Sequence, residues 1–552
     1  MSTLLTSSAQ HPVAFFCAEF GIDTHLPIYA GGLGILAGDI LKEAVDEKLH
    51  YIGVGLLYRG EGAIQEISAD GQQIDKNNDF DPIAMGLEHV YMDDMPVFIK
   101  VHLTELDVWL RCWKKQLSET VTLYLLDPDT EQNLRQQRHI AYALYAGSRE
   151  EMIKQQLLLG IGGVKLLHHL GIHPSLYHVN EGRPSFIHWQ LVRDYMETNG
   201  LKYEEAVELA RAKTVYTNHT LLEAGNEAYH THLFRAYGEY YANKMQIPID
   251  QLLAPGMDEA NKLFSVTQYA LNTSRKASSV SQIHFQFCQK QWPQNSWVNI
   301  TNGIHMPTWQ NPEMKIAATT KDPAQIWQAH LKNKQALLEY VKSRTGYGYD
   351  PNRLVIGWAR RITGYKQLSS LFNDVQRLRN ILAREDKPAQ LLIAGKAHIY
   401  DTAAKQVIQQ IIQYMQHELS GLALFIPNLD IELDSMLVRG TDLWLNTPEF
   451  GKEACGTSGM KAISNGVLQC TVADGWAHEV NWDGTGWVLD YQQLAPDLYQ
   501  KLETEIAPLF YDRNSAGLPL KWIERIQRSI ELSAQFSSRR MMHEYWQKLY
   551  VE

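Results

Sequence analysis

Apolar runs of about the length of a buried strand alternate with helix-length amphipathic stretches along most of the chain. The alternation is clearest after Asn352, where RLVIGWA, AQLLIAG, LALFIPN, DLWLNT and VLQCTV have the character of buried strands. In the first half, PVAFFCAEF, YIGVGLL, SLYHVNE and KTVYTNH have the same character. Strands separated by helices are typical of parallel sheets, so the pattern predicts an α/β protein built from Rossmann-like, doubly wound domains.

Changes in the pattern along the 552 residues predict the domain boundaries. We expect an N-terminal Rossmann-like domain over residues 1–310, with a β insertion at about 80–127 where PVFIKVHL and VTLYLLD add alternating runs. A break rich in proline and polar residues, from Met306 to Lys321, leads to a second Rossmann-like domain over 311–510. The helical period from Leu494 onward predicts terminal helices, at 511–552, that pack across both domains.

Composition and charge exclude several classes of protein. The chain is 45% hydrophobic and 20% charged, and no apolar run approaches the roughly 20 residues that span a bilayer. The N-terminal MSTLLTSSAQHPVAFF lacks the basic region and cleavage site of a signal peptide, so we expect a cytoplasmic protein without a membrane partner. A net charge of −11 argues against nucleic-acid binding. Five cysteines without CxxC spacing argue against a disulfide framework and a zinc site, and we expect no metal.

The residues that follow each strand are the candidates for function, because doubly wound sheets bind ligands beyond the carboxyl ends of their strands. After the first strand, YAGGLGILAGD places Gly31, Gly32 and Gly34 before a helical pattern. Glycines at a helix start let backbone N–H groups approach an anion. A tight turn that uses glycine only for packing is the alternative.

Basic residues follow two strands of the second predicted domain. ARRITGYK contains Arg360, Arg361 and Lys366, and AGKAH contains Lys396. Cations beyond neighbouring strands predict a shared anion site, although a solvated turn with surface charge would give the same pattern.

The segment EACGTSGMK places a lysine among small residues, after the strand DLWLNT. Gly456 and Gly459 offer backbone donors at a helix start that Thr457 or Ser458 could cap. A lysine desolvated beside other cations can form a Schiff base with an aldehyde, and pyridoxal phosphate is the cofactor that uses this chemistry. The alternative is that Lys461 points into solvent.

Two further post-strand segments carry groups that can bind sugar hydroxyls. VYTNHT presents Asn218 and His219, and VNITNGIHMPTW presents Asn302, His305 and Trp309. Histidines of this kind also serve as ordinary structural residues, and spacing does not decide between the two roles.

Together the segments YAGGLG, VYTNHT, TNGIHMPTW, ARRITGYK, AGKAH and EACGTSGMK resemble those of the α-glucan (glycogen, starch and maltodextrin) phosphorylases, in the order that this family has them. The likeness is closest to the shorter bacterial type. The resemblance implies a GT-B fold, with two Rossmann-like domains facing a central crevice, and a retaining glycosyltransferase that carries pyridoxal 5'-phosphate. It also implies α-glucan and inorganic phosphate as partners, and it suggests a homodimer. The implied reaction is reversible phosphorolysis, in which the cofactor phosphate relays a proton through the substrate phosphate and α-glucose 1-phosphate is released.

The resemblance also implies roles for individual residues. Lys461 looks like the Schiff-base lysine, Arg360 like the cation at the cofactor phosphate, and Trp309 like the aromatic residue beside the cofactor. The remaining matches are Thr457 and Ser458 at the cofactor phosphate; Arg361, Lys366 and the amide of Gly32 at the substrate phosphate; and Glu453, Asn302, His219, Cys455 and Gly456 at the glucosyl unit. Lys461, Arg361, Lys366 and His219 would be the catalytic set.

Three departures from the family pattern accompany the resemblance. Arg183 stands where the family usually has histidine, which affects acceptor-side or regulatory contacts, and Cys455 stands where it has serine. Gly31 lies close to the N-terminus, so we expect no nucleotide-binding or phosphorylation segments of the animal type.

Two other functions stay open on the sequence alone. The first is a nucleotide-sugar-dependent GT-B glucosyltransferase, although Tyr29 and Ala30 precede GGLG here, where such enzymes typically have a lysine. The second is a non-catalytic carbohydrate-binding relative of the phosphorylases.

Overall fold

A computed structural model of the chain describes residues 8–9, 11–104, 106–145, 147–220, 222, 225–258 and 262–551. The strands in these residues are β1 Val13–Cys17, β2 Tyr51–Leu56, β3 Ile64–Ile67, β4 Gln73–Lys76, β5 Glu88–His89, β6 Tyr91–Met92, β7 Met95–Pro96, β8 Phe98–Leu103, β9 Leu106–Gln116, β10 Val121–Asp127, β11 Leu176–Asn180, β12 Thr214–Thr217, β13 Ala228–His230, β14 Met257–Asp258, β15 Leu263–Ser265, β16 Lys276–Ser279, β17 Trp297–Asn299, β18 Leu354–Ala359, β19 Ala389–Ala394, β20 Ala423–Ile426, β21 Leu443–Asn446, β22 Leu468–Val472 and β23 Gly486–Leu489.

The α-helices are α1 Gly32–Asp46, α2 Arg135–Arg138, α3 Arg149–His169, α4 Ile187–Asn199, α5 Tyr203–Ala212, α6 Thr231–Met245, α7 Ile249–Leu253, α8 Val266–Asn272, α9 Gln282–Gln291, α10 Met306–Trp309, α11 Pro312–Thr320, α12 Pro323–Thr345, α13 Val375–Leu382, α14 Thr402–Gln416, α15 Ile431–Gly440, α16 Ser458–Ser464, α17 Leu494–Lys501, α18 Ala507–Tyr511, α19 Leu520–Ser533 and α20 Ser538–Glu544.

The chain forms two compact units. The first comprises the segments Met1–Glu61, Asn77–Thr301 and Met541–Glu552, and the second comprises Gly62–Lys76 and Asn302–Arg540. Each unit has its own hydrophobic core around its own sheet. Both units have the Rossmann-like α/β character that the sequence predicts.

The first unit is organised by a sheet in the order β17-β16-β12-β11-β1-β2-β10-β9-β5, with β8 paired to β9. The strands from β17 to β10 run parallel, whereas β9 is antiparallel to β10. β10, which the sequence places in a β insertion, is therefore a parallel strand of the principal sheet, and β8 and β9 extend it. β1 lies between β2 and β11, with Val13 opposite Tyr51 and Leu176.

The second unit contains a parallel sheet in the order β20-β19-β18-β21-β22-β23. If its strands are numbered along the chain, this order is 3-2-1-4-5-6, the order of the dinucleotide-binding Rossmann fold. The direction of winding reverses between β18 and β21. A ligand site is therefore expected just beyond the carboxyl ends of these two strands.

The strands predicted from apolar runs are confirmed in both halves of the chain. RLVIGWA, AQLLIAG, LALFIPN, DLWLNT and VLQCTV contain β18, β19, β20, β21 and β22, and PVAFFCAEF, YIGVGLL, SLYHVNE and KTVYTNH contain β1, β2, β11 and β12. These strands are almost entirely buried, as their unbroken apolar character requires.

The hairpin of β3 and β4 belongs to the second unit, although its sequence lies within the first half of the chain. The Gln65 side chain donates to the carbonyl of Gly395 at 2.9 Å, and the Gln73 side chain donates to that of Ala397 at 2.9 Å. Near the other end of the chain, residues from Met541 onward pack in the core of the first unit, where the Tyr550 hydroxyl lies 2.9 Å from that of Tyr51. No helix among the described residues has the length and apolar character needed to cross a membrane.

Candidate active site

The loops after β18 and β21 carry most of the predicted site residues. Arg360 follows β18 directly, and Lys366 ends a short 3₁₀ turn six residues later. The loop after β21 leads through Glu453 to α16, which contains Lys461. Because β18 and β21 are neighbours, the fold brings these loops together at the point where the winding reverses.

Glu453 is held by two cations from the β18 loop. Arg360 Nη2 lies 2.7 Å from Glu453 Oε1 and Nη1 lies 3.1 Å from Oε2, while Lys366 Nζ lies 2.5 Å from Oε2. The side chains are 3% (Glu453), 8% (Arg360) and 11% (Lys366) exposed. Burial by itself would raise the pKa of Glu453, but the charges of Arg360 and Lys366 lower it to about 2. The carboxylate is therefore ionised throughout the physiological pH range.

The Asp474 side chain holds the backbone of the turn that carries Glu453. Asp474 Oδ2 accepts hydrogen bonds from the amides of Gly451 at 2.9 Å and Glu453 at 3.0 Å. Gly456 completes the turn: a Cβ there would lie 1.8 Å from Glu453 Oε1 and 2.8 Å from Arg360 Nη2. The position therefore requires glycine. Burial raises the pKa of the neighbouring Cys455 thiol, which stays protonated at neutral pH.

Lys461 lies in a buried position with a carboxylate and an aromatic face as its neighbours. Its Nζ is 2.7 Å from Asp434 Oδ2 and 3.5 Å from the centre of the Trp309 ring. The alternative of a solvent-facing lysine is wrong, since the side chain is only 4% exposed. Sequence reasoning did not find Asp434, because it lies 27 residues before Lys461 on another helix and no local spacing connects the two.

The start of α16 differs from the prediction in one respect. Thr457 occupies the N-cap position, but neither its side chain nor that of Ser458 makes a capping hydrogen bond. The backbone of Thr457 is already near-helical, which removes the extended geometry that a capping side chain needs. The predicted side-chain cap is therefore wrong.

Other basic residues of the second unit lie outside this cluster. Arg361 is exposed. Lys396 donates a 2.5 Å hydrogen bond to the carbonyl of Ala63, next to the β3–β4 hairpin, so the predicted sharing of one anion site with Arg360 is not seen. Burial lowers the pKa of Lys396 to about 8.

In the first unit, His219 follows β12 and lies against the end of β11. Its Nε2 is 2.7 Å from Asn180 Oδ1, and its backbone amide donates to Glu181 Oε1 at 2.5 Å. Burial lowers the pKa of His219 to about 3, so the ring is neutral at physiological pH. Glu181 has a left-handed backbone, with φ of 66°, and burial raises its pKa to about 8. Sequence reasoning missed Glu181, although its place directly after the strand SLYHVN was a usable signal.

The glycine loop before α1 already contacts a carboxylate. Glu19 Oε2 accepts from the amides of Ala30 at 2.7 Å and Gly31 at 3.2 Å, and Oε1 accepts from the Tyr145 hydroxyl at 2.6 Å. The helix begins at Gly32, where an added Cβ would meet nothing within 4 Å. The open side of this loop is therefore at Gly32, the position whose amide was matched to a phosphate.

Arg183 forms an ion pair inside the first unit. Its guanidinium bonds Glu227 and lies 4.6 Å from the centre of the Tyr145 ring. Glu227 also accepts from the Gln156 side chain at 2.7 Å and the Tyr229 hydroxyl at 2.7 Å. The arginine that departs from the family pattern is thus paired with a partly buried carboxylate, while its Nη1 has no hydrogen-bond partner among the described residues.

Comparisons with known proteins agree with these motifs. A family model described as carbohydrate phosphorylase matches residues 313–483. The maltodextrin phosphorylase of Thermococcus litoralis is 33% identical over 98% of this chain and 70% of its own length. The glycogen phosphorylase of Aquifex aeolicus is 32% identical over 98% of this chain and 86% of its own length. The chain belongs to the carbohydrate phosphorylase family.

The predicted resemblance to α-glucan phosphorylases of the short bacterial type is confirmed by these relatives. An uncharacterized protein of Methanocaldococcus jannaschii is 31% identical over 98% of this chain and 99% of its own length. The chain is an enzyme of a glycosyltransferase family, and the Methanocaldococcus jannaschii relative matches it over nearly the whole length of both proteins.

Phosphorylases generally depend on pyridoxal phosphate, and the residues of this phosphorylase fit that group. Arg360 Nε, Ser458 Oγ and Asn302 Oδ1 are among the buried polar atoms near the EACGTSGMK turn that have no hydrogen-bond partner among the described residues. Buried polar atoms are normally paired, so unpaired donors and acceptors of this kind indicate a place for a polar ligand. Together with the buried amine of Lys461 and the flat Trp309 ring, they suit a phosphorylated aromatic aldehyde.

Proposed function

We propose that this phosphorylase catalyses the reversible phosphorolysis of α-1,4-glucan, glycogen or maltodextrin, by inorganic phosphate, with release of α-glucose 1-phosphate and retention of configuration. The observation that carries the proposal is the cluster of Glu453, Arg360 and Lys366, in which Glu453 precedes the buried Lys461 of α16 by eight residues. It combines an ionised acceptor for sugar hydroxyls, two cations for phosphate and a buried amine. The names of the relatives supply the substrate class.

Pyridoxal phosphate would be held by Lys461, with Arg360 and the backbone of Thr457 and Ser458 at its phosphate and Trp309 beside its ring. When bound, it supplies a phosphate group that exchanges a proton with a neighbouring phosphate. A phosphate second pKa near 6 suits proton exchange at neutral pH. Lys461 binds and orients the group.

The cations allow phosphate groups to approach one another. Two phosphates of about −1.5 charge each, roughly 5 Å apart at an effective dielectric near 20, repel by about 7 kcal/mol. Arg360 and Lys366 currently share one carboxylate, which leaves one net positive charge on the three groups. In this proposal Lys366, Arg361 and the amide of Gly32 would bind the substrate phosphate and stabilise the charge that develops on it, while Arg360 would face the cofactor phosphate.

The ionised Glu453 carboxylate and several neutral polar groups would orient the sugar. Glu453 accepts hydrogen bonds from hydroxyl groups, and Asn302 has an unpaired buried acceptor. His219 is neutral and is oriented by Asn180, so one ring nitrogen can serve a hydroxyl without adding a charge. Gly456 leaves the space that the turn needs, and Cys455 lies beside it as a protonated thiol.

The GT-B fold is part of this proposal, and the likeness to the phosphorylases supports it. Each unit has a reversal of winding between neighbouring parallel strands, β1 and β11 in the first unit and β18 and β21 in the second, and doubly wound sheets bind ligands beyond such strands. The domain boundaries, the homodimer and the cytoplasmic location stay predictions.

The donor sugar distinguishes this proposal from a nucleotide-sugar-dependent transferase. Purified protein loaded with pyridoxal phosphate is given maltodextrin and either α-glucose 1-phosphate or ADP-glucose, and release of phosphate or ADP is measured. We expect phosphate release only, abolished by Lys461→Ala and unchanged by Lys452→Ala, which alters an exposed lysine paired with Glu449. ADP release would support the transferase, and no release from either donor would support a non-catalytic relative.

A further inference from the structure

The β3–β4 hairpin carries two buried glutamines that bond to each other. Gln65 is 2% exposed and Gln73 is 8% exposed, and the Gln65 side-chain amide donates to Gln73 Oε1 at 2.8 Å. The same amide donates to the carbonyl of Gly395 at 2.9 Å, and Gln65 Oε1 accepts from the backbone amide of Asn428 at 2.8 Å. A buried amide without such partners is costly, so these bonds hold both side chains in one orientation.

Three consecutive residues after β19 bind this hairpin. The Gly395 carbonyl is the first contact, and Lys396 Nζ donates to the carbonyl of Ala63 at 2.5 Å. Ala397 makes two bonds with one side chain: its amide donates to Gln73 Oε1 at 3.0 Å, and its carbonyl accepts from Gln73 Nε2 at 2.9 Å. The Gln73 side chain therefore pairs with the backbone of Ala397 as a residue of a neighbouring strand would.

The segment that the hairpin binds also holds the backbone on both sides of Arg361. The amide of Arg360 donates to the carbonyl of Ala394 at 3.2 Å, and the amide of Ile362 donates to that of Lys396 at 2.9 Å. These bonds extend the parallel pairing of β18 with β19 beyond the ends of both strands. The hairpin is thus connected to the loop after β18 through a continuous series of hydrogen bonds.

The two post-strand segments also pack closely against each other. A Cβ at Gly395 would lie 2.2 Å from the Arg360 carbonyl oxygen and 2.9 Å from Ile362 Cγ1. A displacement of Gly395 would therefore move the backbone of Arg360, whose side chain holds Glu453.

We propose that Gln65 and Gln73 are positioning residues, which hold Arg360 and Arg361 in place for phosphate through the backbone after β19. The inference rests on the proposed function, because it takes Arg361 to bind the substrate phosphate. A misplacement of about 1 Å by a change far from the chemistry can lower a rate by about 100-fold. Loss of the Gln73 bonds should therefore impair the use of phosphate more than the use of glucan.

Replacement of neighbouring glutamines of the hairpin tests this inference. Gln73→Met keeps a side chain of similar length but leaves the backbone of Ala397 without its partner. Gln72→Met is the matched control, because Gln72 is exposed and its side chain donates to Asp70 within the same hairpin. In protein loaded with pyridoxal phosphate, we expect kcat/KM for inorganic phosphate to fall by about tenfold or more in Gln73→Met, with KM for maltodextrin within about twofold of the wild type. Both parameters should be unchanged in Gln72→Met.

Hydrogen exchange followed by mass spectrometry measures the backbone directly and needs no activity. We expect the amides of residues 360–362 to exchange about fivefold or more faster in Gln73→Met under native conditions, and at the wild-type rate in Gln72→Met. Faster exchange together with the selective loss for phosphate supports the inference. Unchanged exchange, or faster exchange with unchanged kcat/KM for phosphate, overturns it while the proposed function stands.

The wild-type protein separates the two proposals. If loaded wild type releases no α-glucose 1-phosphate, the proposed function fails, and the assignment of Gln65 and Gln73 to a phosphate site fails with it. Should Gln73→Met not fold, Gln73→Asn and Gln65→Met take its place, with the same measurements and the same outcomes. Gln73→Asn keeps the amide but shortens the side chain by one methylene group, and Gln65→Met removes the bond to Gly395.

Discussion

Arg360 donates from both terminal nitrogens to the Glu453 carboxylate, from Nη2 to Oε1 at 2.7 Å and from Nη1 to Oε2 at 3.1 Å. This pair joins the loop after β18 to the loop after β21. Such forked pairs are strong and directional. Removing one member of a buried pair leaves the other without compensation, which typically costs about 3–5 kcal/mol. The pair therefore contributes to the stability of the second unit as well as to the charge of the site.

The dependence of the protein's stability on pH below 4.5 should be determined in part by Glu453. Its pKa falls from the ordinary 4.5 to about 2 on folding, so its contribution is complete above pH 4.5 and is lost as the pH falls toward 2. The corresponding free energy is about 3 kcal/mol. We expect Glu453→Gln to unfold more easily at pH 7 and to lose less stability between pH 4.5 and 2, measured by urea denaturation. An equal slope in both proteins over that range would contradict the assignment.

Gly456 should tolerate no side chain. The Cβ of Gly456→Ala would overlap the Glu453 carboxylate, at 1.8 Å, and displace it from Arg360. We expect a loss of about 100-fold or more in kcat/KM for phosphorolysis, which corresponds to about 3 kcal/mol. Gly364→Ala is the matched control, since its Cβ would meet nothing within 4 Å and its activity should be unchanged. Normal kinetics in Gly456→Ala would show that the turn is not part of the site.

His219 should remain neutral across the working pH range. Its pKa is lowered from the ordinary 6.5 to about 3 by burial, so protonation stabilises the unfolded chain relative to the folded one as pH falls below 6.5. We expect the ring signals of His219, identified by comparison with His219→Gln in histidine-labelled protein, to stay constant from pH 5 to 8. A titration midpoint near 6.5 would show that the ring is more exposed to solvent than described.

The Arg183–Glu227 ion pair should contribute mainly to the stability of the folded protein. Arg183→Met leaves Glu227 buried without its cation, and we expect a loss of about 3–5 kcal/mol in the free energy of unfolding. The double variant Arg183→Met, Glu227→Gln removes both charges and should recover most of that loss. If the double variant is as unstable as the single one, the cost comes from lost packing of the guanidinium on Tyr145.

Local sequence signals predicted the strands and the loops that carry the site. Unbroken apolar runs can only be buried strands or short core helices, and their spacing by helices leaves parallel pairing as the simplest arrangement. Arg360, Lys366, Glu453 and Lys461 could be named because each follows such a strand. Their individual roles are implied only by the resemblance to the phosphorylase segments.

Contacts over long sequence distances could not be predicted in the same way. Asp434 reaches Lys461 from another helix, and Glu19, after β1, reaches the amide of Gly31. The β3–β4 hairpin belongs to the second unit, although residues 77–301 separate it from Asn302, where the rest of that unit begins. No periodicity marks such contacts, because they are selected by packing in three dimensions. The expected cap by Thr457 is wrong because its backbone is already near-helical, which the sequence around it does not indicate.

Phosphorolysis measured on reconstituted protein tests the central claim most directly. Protein freed of cofactor is incubated with maltodextrin and inorganic phosphate, with and without pyridoxal phosphate, and α-glucose 1-phosphate is quantified. We predict formation of α-glucose 1-phosphate that requires the cofactor and is lost in Lys461→Ala. Failure of the loaded wild-type protein to release glucose 1-phosphate from acceptors of any length, from maltose upward, would contradict the account.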